Sequence, residues 1–473
     1  MNKLNTFGIW AFLLFLPITV TAQNRSIPEI PAHASISFHV VNLETGNDVL
    51  DVTADRLLTS ASLMKMVTTA TALGELGPDF TFSTKLWMTG RLHDHILEGD
   101  LILEGGGDPT LGSGHFPSQS ADRILQKISG FLEEAGIDSI TGMVKVDENF
   151  FPGGRYPSRR LWEDMGNYYG APPAALSWRD NSFEIELSSP PEAGDYCRVV
   201  AVKPQVPGIS FNCLVRAARH QKDSAYIYGV PGMSVYEIRG SIPRGRSSFK
   251  IKGALPQPGL MLGREVAEIL GQQRSTSVIK TENSFWKDEA VLLGEMKSVA
   301  LAEIIRKTNQ KSLNLAADHL LLALGKNDKD TLKSLWDLGL QKIHAYWQKR
   351  LLPHYINIRD GSGLAPLNTL SARFLTDMLA QIYRESNNFE VYKQSLARSG
   401  QSGTFRYIWN KEGLKGHVYG KSGYMEDVMG YAGYVMQPGK APLAFAFLVN
   451  HHGMEASDIR DVIESTGCKY FIE

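Results

Sequence analysis

A serine three residues ahead of a lysine can become a nucleophile with its own base. Ser62-Leu63-Met64-Lys65 has that spacing. The run from Met64 to Leu76 predicts a helix, because Met66, Val67, Ala70 and Leu73 recur at helical spacing. Three residues is just under one turn, so Ser62 and Lys65 fall on one face, one above the other. A serine hydroxyl is a poor nucleophile at neutral pH and needs a base beside it. A lysine amine serves as that base where its surroundings suppress its charge. Chance alone gives roughly two such tetrads in a chain of this size. Three more begin at Ser247, Ser277 and Ser284. Ser247 and Lys250 sit in a strand-like run, where they would face opposite sides of the pleat.

Two further short patterns follow in order. Ser312-Leu313-Asn314 is an S-x-N, a pattern that Ser210-Phe211-Asn212 and Ser386-Asn387-Asn388 also meet. Lys421-Ser422-Gly423 is the single K-[ST]-G of the chain. It precedes two apolar, alternating segments, Met429 to Val435 and Leu443 to Val449, which predict strands. Taken singly, each pattern has a plain reading: a helix-opening serine, an ordinary helix serine, a solvated strand lysine. Their order and context favour a shared site.

The elements that must position these residues are spread over 473 residues, more than one domain's worth. Hydrophobic residues make up 43% and Gly and Pro are ordinary, so the chain is globular. A net charge of -1 excludes the basic balance of a nucleic-acid binder. Residues 1–22 read as a signal peptide, with Lys3, an apolar stretch from Phe7 to Val20, and Val20-Thr21-Ala22 before a cut at Gln23. That stretch is short for a membrane span, and no cysteine follows the cut for lipid attachment. The expected location is periplasmic after export across the inner membrane, with no integral anchor after cleavage and none appended at the C-terminus. Cys197, Cys213 and Cys468 do not form a disulfide framework. Cys197 and Cys213 either pair or remain free buried thiols.

Residues 35 to 60 predict a β-hairpin, with Glu44 to Asn47 as its turn. Phe80 to Leu103 reads as strand, turn, strand, and ends in Gly105-Gly106-Gly107-Asp108-Pro109-Thr110. That glycine run lacks the ending of a phosphate loop, so a tight, closely packed turn is the expectation. Residues 181 to 250 carry short alternating runs split by Pro and Gly, as in a small all-β module. Helices are expected at Ala121 to Ala135, Leu260 to Gln272, Lys297 to Leu324, Leu332 to Gln348, Ser371 to Tyr383 and Ser457 to Gly467. His93-Asp94-His95 has ligand spacing, but a hairpin turn accounts for it better than zinc. Ser62 and Ser312 are roughly 250 residues apart, far more than a loop needs, so inserted domains are expected between them.

The serine–lysine tetrad with these partners is the signature of class A β-lactamases and penicillin-binding proteins. The chain resembles the low-molecular-mass class C penicillin-binding proteins, the D-Ala-D-Ala carboxypeptidase/endopeptidases of peptidase family S13. Gly105-Gly106-Gly107-Asp108-Pro109-Thr110-Leu111 and Tyr169-Gly170-Ala171-Pro172-Pro173-Ala174-Ala175-Leu176 match stretches of that family. So do Asp360-Gly361-Ser362-Gly363-Leu364 and Ser402-Gly403-Thr404-Phe405. Ser422 stands where threonine is common and Leu313 where a polar residue is frequent, and neither removes a needed group.

The resemblance implies an α/β (α+β) architecture. A β-lactamase-like, penicillin-recognising domain, residues 23–80 and 290–473, is interrupted by a second domain, 81–180 and 251–289, which carries a small all-β domain, 181–250. It implies a serine DD-peptidase acting on D-Ala-D-Ala or D-Ala-diaminopimelate bonds of peptidoglycan stem peptides, acylated by β-lactams, with no metal or cofactor. Ser62 is then the nucleophile and Lys65 its base, with a neighbouring cation lowering the Lys65 pKa. Ser312 relays the proton and Lys421 keeps the site positive. Asn314, Ser422 and Gly423 bind substrate, Ser62 and Tyr424 supply oxyanion N–H groups, and Asp164 meets the amino end of a diaminopimelate side chain, if it is not simply a surface carboxylate. The alternatives are a β-lactamase or esterase on the same scaffold, and a non-catalytic wall-binding protein. The large insertion speaks against the first, and the presence of Ser62, Lys65 and Lys421 against the second.

Overall fold

A computed structural model describes residues 29–271, 277–281, 283–326 and 332–472. The signal peptide expected at residues 1–22 lies outside the described residues.

Apolar runs with small residues on one face build the central sheet. Its six strands are antiparallel, in the order Asp48–Val52, Ser35–Asn42, Leu443–Asn450, Val428–Val435, Val418–Met425 and Ala397–Arg398. In Leu443–Asn450 the two faces divide cleanly. Ala444, Ala446 and Leu448 join a helical core, while Phe445, Phe447 and Val449 join an aromatic core under the C-terminal helix Ala456–Ile472. Both faces are therefore buried, and the segment is apolar throughout.

Against the sheet's small-residue face packs the helix Met64–Leu76, at the bounds the periodicity predicts. Every residue from Met64 to Leu73 is buried, including Lys65. A helix buried all round belongs at a core centre, and here it touches the helices Leu301–Lys311 and Asn314–Gly325. Those two correct the single helix expected over Lys297 to Leu324. The chain breaks at Ser312, whose φ of 58° and ψ of 44° are left-handed and end the first helix. A further helix, Ser386–Ser395, was not expected from the sequence.

The chain leaves this part near Pro78 and returns near Ser298, and the two crossings are hydrogen-bonded side by side. Ser298 N–H donates to Phe82 O at 3.0 Å and Leu301 N–H to Phe80 O at 2.8 Å. Between them a five-stranded sheet runs Val278–Lys280, Val144–Asp147, Leu101–Glu104, Ser83–Met88 and Val291–Lys297. Residues 182–254 hold strands in two smaller sheets. One hydrophobic cluster runs from Leu86 and Val146 of the five-stranded sheet to Ile185 and Ile238 of the β-rich part. The glycine run packs tightly, as expected: a Cβ on Gly107 would meet the Phe151 ring at 2.6 Å. His93 ends the strand Arg91–His93, and Asp94 and His95 form the turn to the strand Ile96–Glu98. Cys197, Cys213 and Cys468 are free thiols.

Candidate active site

A short helical turn, Ala61–Leu63, carries Ser62 just ahead of the buried helix. The strand Val418–Met425 lies hard against this turn. A Cβ on Gly423 would sit 2.8 Å from Ser60 O and 3.2 Å from Leu63 N, so only glycine permits the approach. The same strand carries Lys421, Ser422 and Tyr424.

Lys65 Nζ stands 2.8 Å from Ser62 Oγ and 2.6 Å from the carbonyl of Ser362. The amine is fully buried, and burial pulls its pKa down to about 7. Asp318 and Asp360 push back upward, and Arg160 adds a smaller downward push. The expectation that a neighbouring cation sets this pKa is corrected: loss of hydration is the largest cause. The carboxylates stop the fall near neutrality.

Behind Lys65 lies a buried ionic cluster. Arg160 donates to Asp318 at 2.8 Å and to Asp360 at 3.1 Å, all three side chains out of solvent contact. The two carboxylates also hold the 360–365 loop. Asp318 accepts from Gly361 N–H at 3.0 Å, and Asp360 from Gly363 and Ala365 N–H at 2.7 and 2.8 Å. That loop aims the Ser362 carbonyl at Lys65.

Lys421 Nζ lies 3.0 Å from Ser312 Oγ and 2.5 Å from the Ser422 carbonyl. It is also fully buried, and burial together with the charge of Lys65 holds its pKa well below the usual lysine value. The left-handed turn at Ser312 aims its hydroxyl at this amine. Asn314 donates from Nδ2 to the carbonyl of Tyr169 at 2.8 Å, which leaves its amide oxygen for a substrate N–H.

Tyr169 belongs to the segment from 148 to 181 that leans over the cleft. Its phenol neighbours the Asp164 carboxylate, whose pKa burial raises to about 6. A cavity of about 400 Å³ is lined by Tyr168, Tyr169, Ser312, Asn314 and Phe116. Another, of about 240 Å³, is lined by Glu148, Arg155 and Trp336 and touches none of Ser62, Lys65, Ser312, Asn314 and Lys421.

The structure thus brings Ser62, Lys65, Ser312, Asn314, Lys421, Ser422 and Gly423 to one cleft, with Tyr424 on its strand edge and Asp164 on the opposite wall. It leaves the other tetrads in ion pairs: Lys250 with Glu184, Lys280 with Glu148, and Lys287 with Glu104. Arg160, Asp318 and the Ser362 carbonyl were not singled out. Asp318 follows Asn314 by four residues, one helical turn, so its place behind the site was open to inspection. Arg160 lies 158 residues from Asp318 and carried no such signal.

Residues 20–468 match the D-Ala-D-Ala carboxypeptidase 3 (S13) family. The chain belongs to this family. It is 24% identical over 468 residues to D-alanyl-D-alanine carboxypeptidase DacB of Haemophilus influenzae, covering 95% of this chain and 94% of that one. It is 25% identical over 442 residues to D-alanyl-D-alanine carboxypeptidase of Actinomadura sp. (strain R39), covering 90% of this chain and 79% of the relative. In fold it is similar to the crystal structure of penicillin binding protein 4 from Haemophilus influenzae, with a TM-score of 0.80, 21% identity, and coverage of 94% and 98%. That likeness agrees with the mixed α/β architecture expected from the motifs.

Proposed function

We propose that this S13 enzyme is a serine DD-peptidase that hydrolyses D-Ala-D-Ala bonds, and D-Ala-diaminopimelate cross-links, of peptidoglycan through an acyl-enzyme on Ser62. The observation that carries this is the 2.8 Å contact between Ser62 Oγ and a buried Lys65 poised at about 7. A base with a pKa near the working pH is both available and able to take a proton.

Ser62 Oγ attacks the D-Ala carbonyl carbon, and its proton passes to Lys65 Nζ. The oxyanion sits between the N–H groups of Ser62 and Tyr424. The amine of the leaving residue takes a proton through Ser312 from Lys421, the proton held by Lys65 passes on to Lys421, and the C–N bond breaks with Lys65 neutral again. Water then attacks the ester, its proton taken by Lys65, which returns it to Ser62 Oγ as the ester bond breaks. Lys421 and Ser422 bind the substrate's terminal carboxylate, with Gly423 leaving the strand room to approach. That anion favours the charged form of Lys421, whose pKa burial lowers. Asn314 accepts a substrate N–H, and Asp164 on the far wall receives the amino end of the diaminopimelate side chain.

β-Lactams acylate Ser62 in place of substrate. The catalytic residues fall in 23–80 and 290–473, with 81–180 and 251–289 as a second domain bearing 181–250. The enzyme acts outside the cytoplasm. Among the described residues no helix is long and apolar enough to cross a membrane.

Labelling with fluorescent penicillin, followed on a denaturing gel, tests the proposal. A stable band is expected for the wild type and none for Ser62→Ala. Penicillin left intact, with no band, would refute it. Penicillin consumed without a band would make the protein a β-lactamase.

A further inference from the structure

The wall opposite the motifs continues outward as a row of aromatic rings. Tyr169, over the cavity, packs edge-on against Tyr168 at 5.6 Å. Tyr226, on the strand Ser224–Tyr228, is close enough to Tyr169 to raise the pKa of its phenol, after the larger effects of burial and of Asp164. Tyr228 shares a face with Tyr226, two residues along the strand, and packs on Trp162 at 5.2 Å. Trp162 opens the short helix Trp162–Met165, which rests on that strand. Trp162, Tyr168 and Tyr226 are 48%, 53% and 46% exposed, a large apolar area to leave in water. Charged groups border the rings: the Arg239 guanidinium lies 4.7 Å from the Tyr228 ring centre and is itself paired with Glu237.

We propose that Trp162, Tyr168, Tyr226 and Tyr228 form a platform for the amino-sugar chain of peptidoglycan, holding the polymer whose stem peptide occupies the cavity. This rests on the DD-peptidase reading. The C–H faces of a pyranose ring stack on aromatic faces, and its hydroxyl and acetamido groups seek polar neighbours. Half-exposed Tyr and Trp rings edged by Arg239 and Glu237 offer both. Continuity with the cavity that Ser312 and Asn314 line identifies the occupant. An extended five-residue stem spans at most about 17 Å, so the sugar at its far end must rest on surface just beyond the cavity mouth. The ring row begins at that mouth with Tyr168 and Tyr169.

The test compares two soluble substrates with the same stem: the bare pentapeptide and the disaccharide-pentapeptide. Trp162→Ala and Tyr228→Ala are expected to raise KM for the disaccharide substrate by about five- to tenfold each. Kinetics on the bare pentapeptide and the rate of penicillin acylation stay at the wild-type level, which shows that the site is folded. Trp162→Phe recovers most of the loss. Stem-free glycan fragments inhibit hydrolysis of the disaccharide substrate by wild type and not by Trp162→Ala. An equal change on both substrates would overturn the proposal and make the rings a structural support. No change on either would overturn it in favour of a protein partner on this face. A wild type that cleaves neither substrate would sink the DD-peptidase reading, and the platform with it.

Discussion

Two serine–lysine pairs share the cleft, and they are backed by different chemistry. Behind Lys65 stand Asp318, Asp360 and Arg160, all buried. Lys421 rises from a strand whose neighbours are apolar, and the charge acting on it is the positive one of Lys65. Both amines lose their water, and the loss lowers both pKa values. Only Lys65 has carboxylates to limit the fall, and it settles near 7. The difference assigns the roles: the tempered amine suits a general base, and the untempered one awaits the negative charge of a substrate.

The largest effect expected from breaking the comparison is on Lys65 itself. Lys65→Met removes the base and is expected to slow penicillin acylation by about a thousandfold or more, measured under single-turnover conditions. Ser312→Ala, on the other pair, should cost about a hundredfold in acylation or turnover, since it removes a relay rather than the base.

Next comes the cluster. Arg160→Met leaves two buried carboxylates without their ion-pair partner, and losing one partner of a buried pair costs about 3–5 kcal/mol. The urea midpoint should fall accordingly. An unchanged midpoint would mean that the carboxylates take up protons or water at no cost.

A subtler variant sharpens the contrast. The charge of Asp318 raises the Lys65 pKa, so Asp318→Asn should lower it and move the rising limb of the acylation rate, near pH 7 in wild type, to lower pH. A limb that stays or moves upward contradicts the electrostatic account.

The smallest effect is on stability. Both lysines bind protons more weakly folded than unfolded, so the unfolded state holds more protons between about 7 and the ordinary lysine value of 10.5. Wild-type stability should rise with pH across that window, and the contribution is lost as pH falls toward 7. Lys421→Met should flatten the rise in chemical denaturation.

Much of this cleft was legible in the residues. Ser62 and Lys65 are joined by one helical turn, and Lys421, Ser422 and Gly423 are neighbours on one strand, so local periodicity places each set. The helix Met64–Leu76 was legible for the same reason. The break at Ser312 was not, because Lys311, Ser312 and Leu313 hold no Gly or Pro to mark it. Tertiary packing imposes a left-handed serine there. The cause of the Lys65 pKa was also misassigned, since burial is a property of the whole core and not of the neighbouring residues.

By itself, the sequence determined which groups can attack, accept a proton and bind a carboxylate, because those powers belong to side chains and to spacings within one turn or strand. Only the tertiary structure decided that Arg160 reaches across 158 residues to neutralise Asp318, and that Tyr169 crosses 145 to meet Asn314. It alone set the basicity of Lys65 and Lys421, because desolvation and long-range charge depend on what surrounds a group in space.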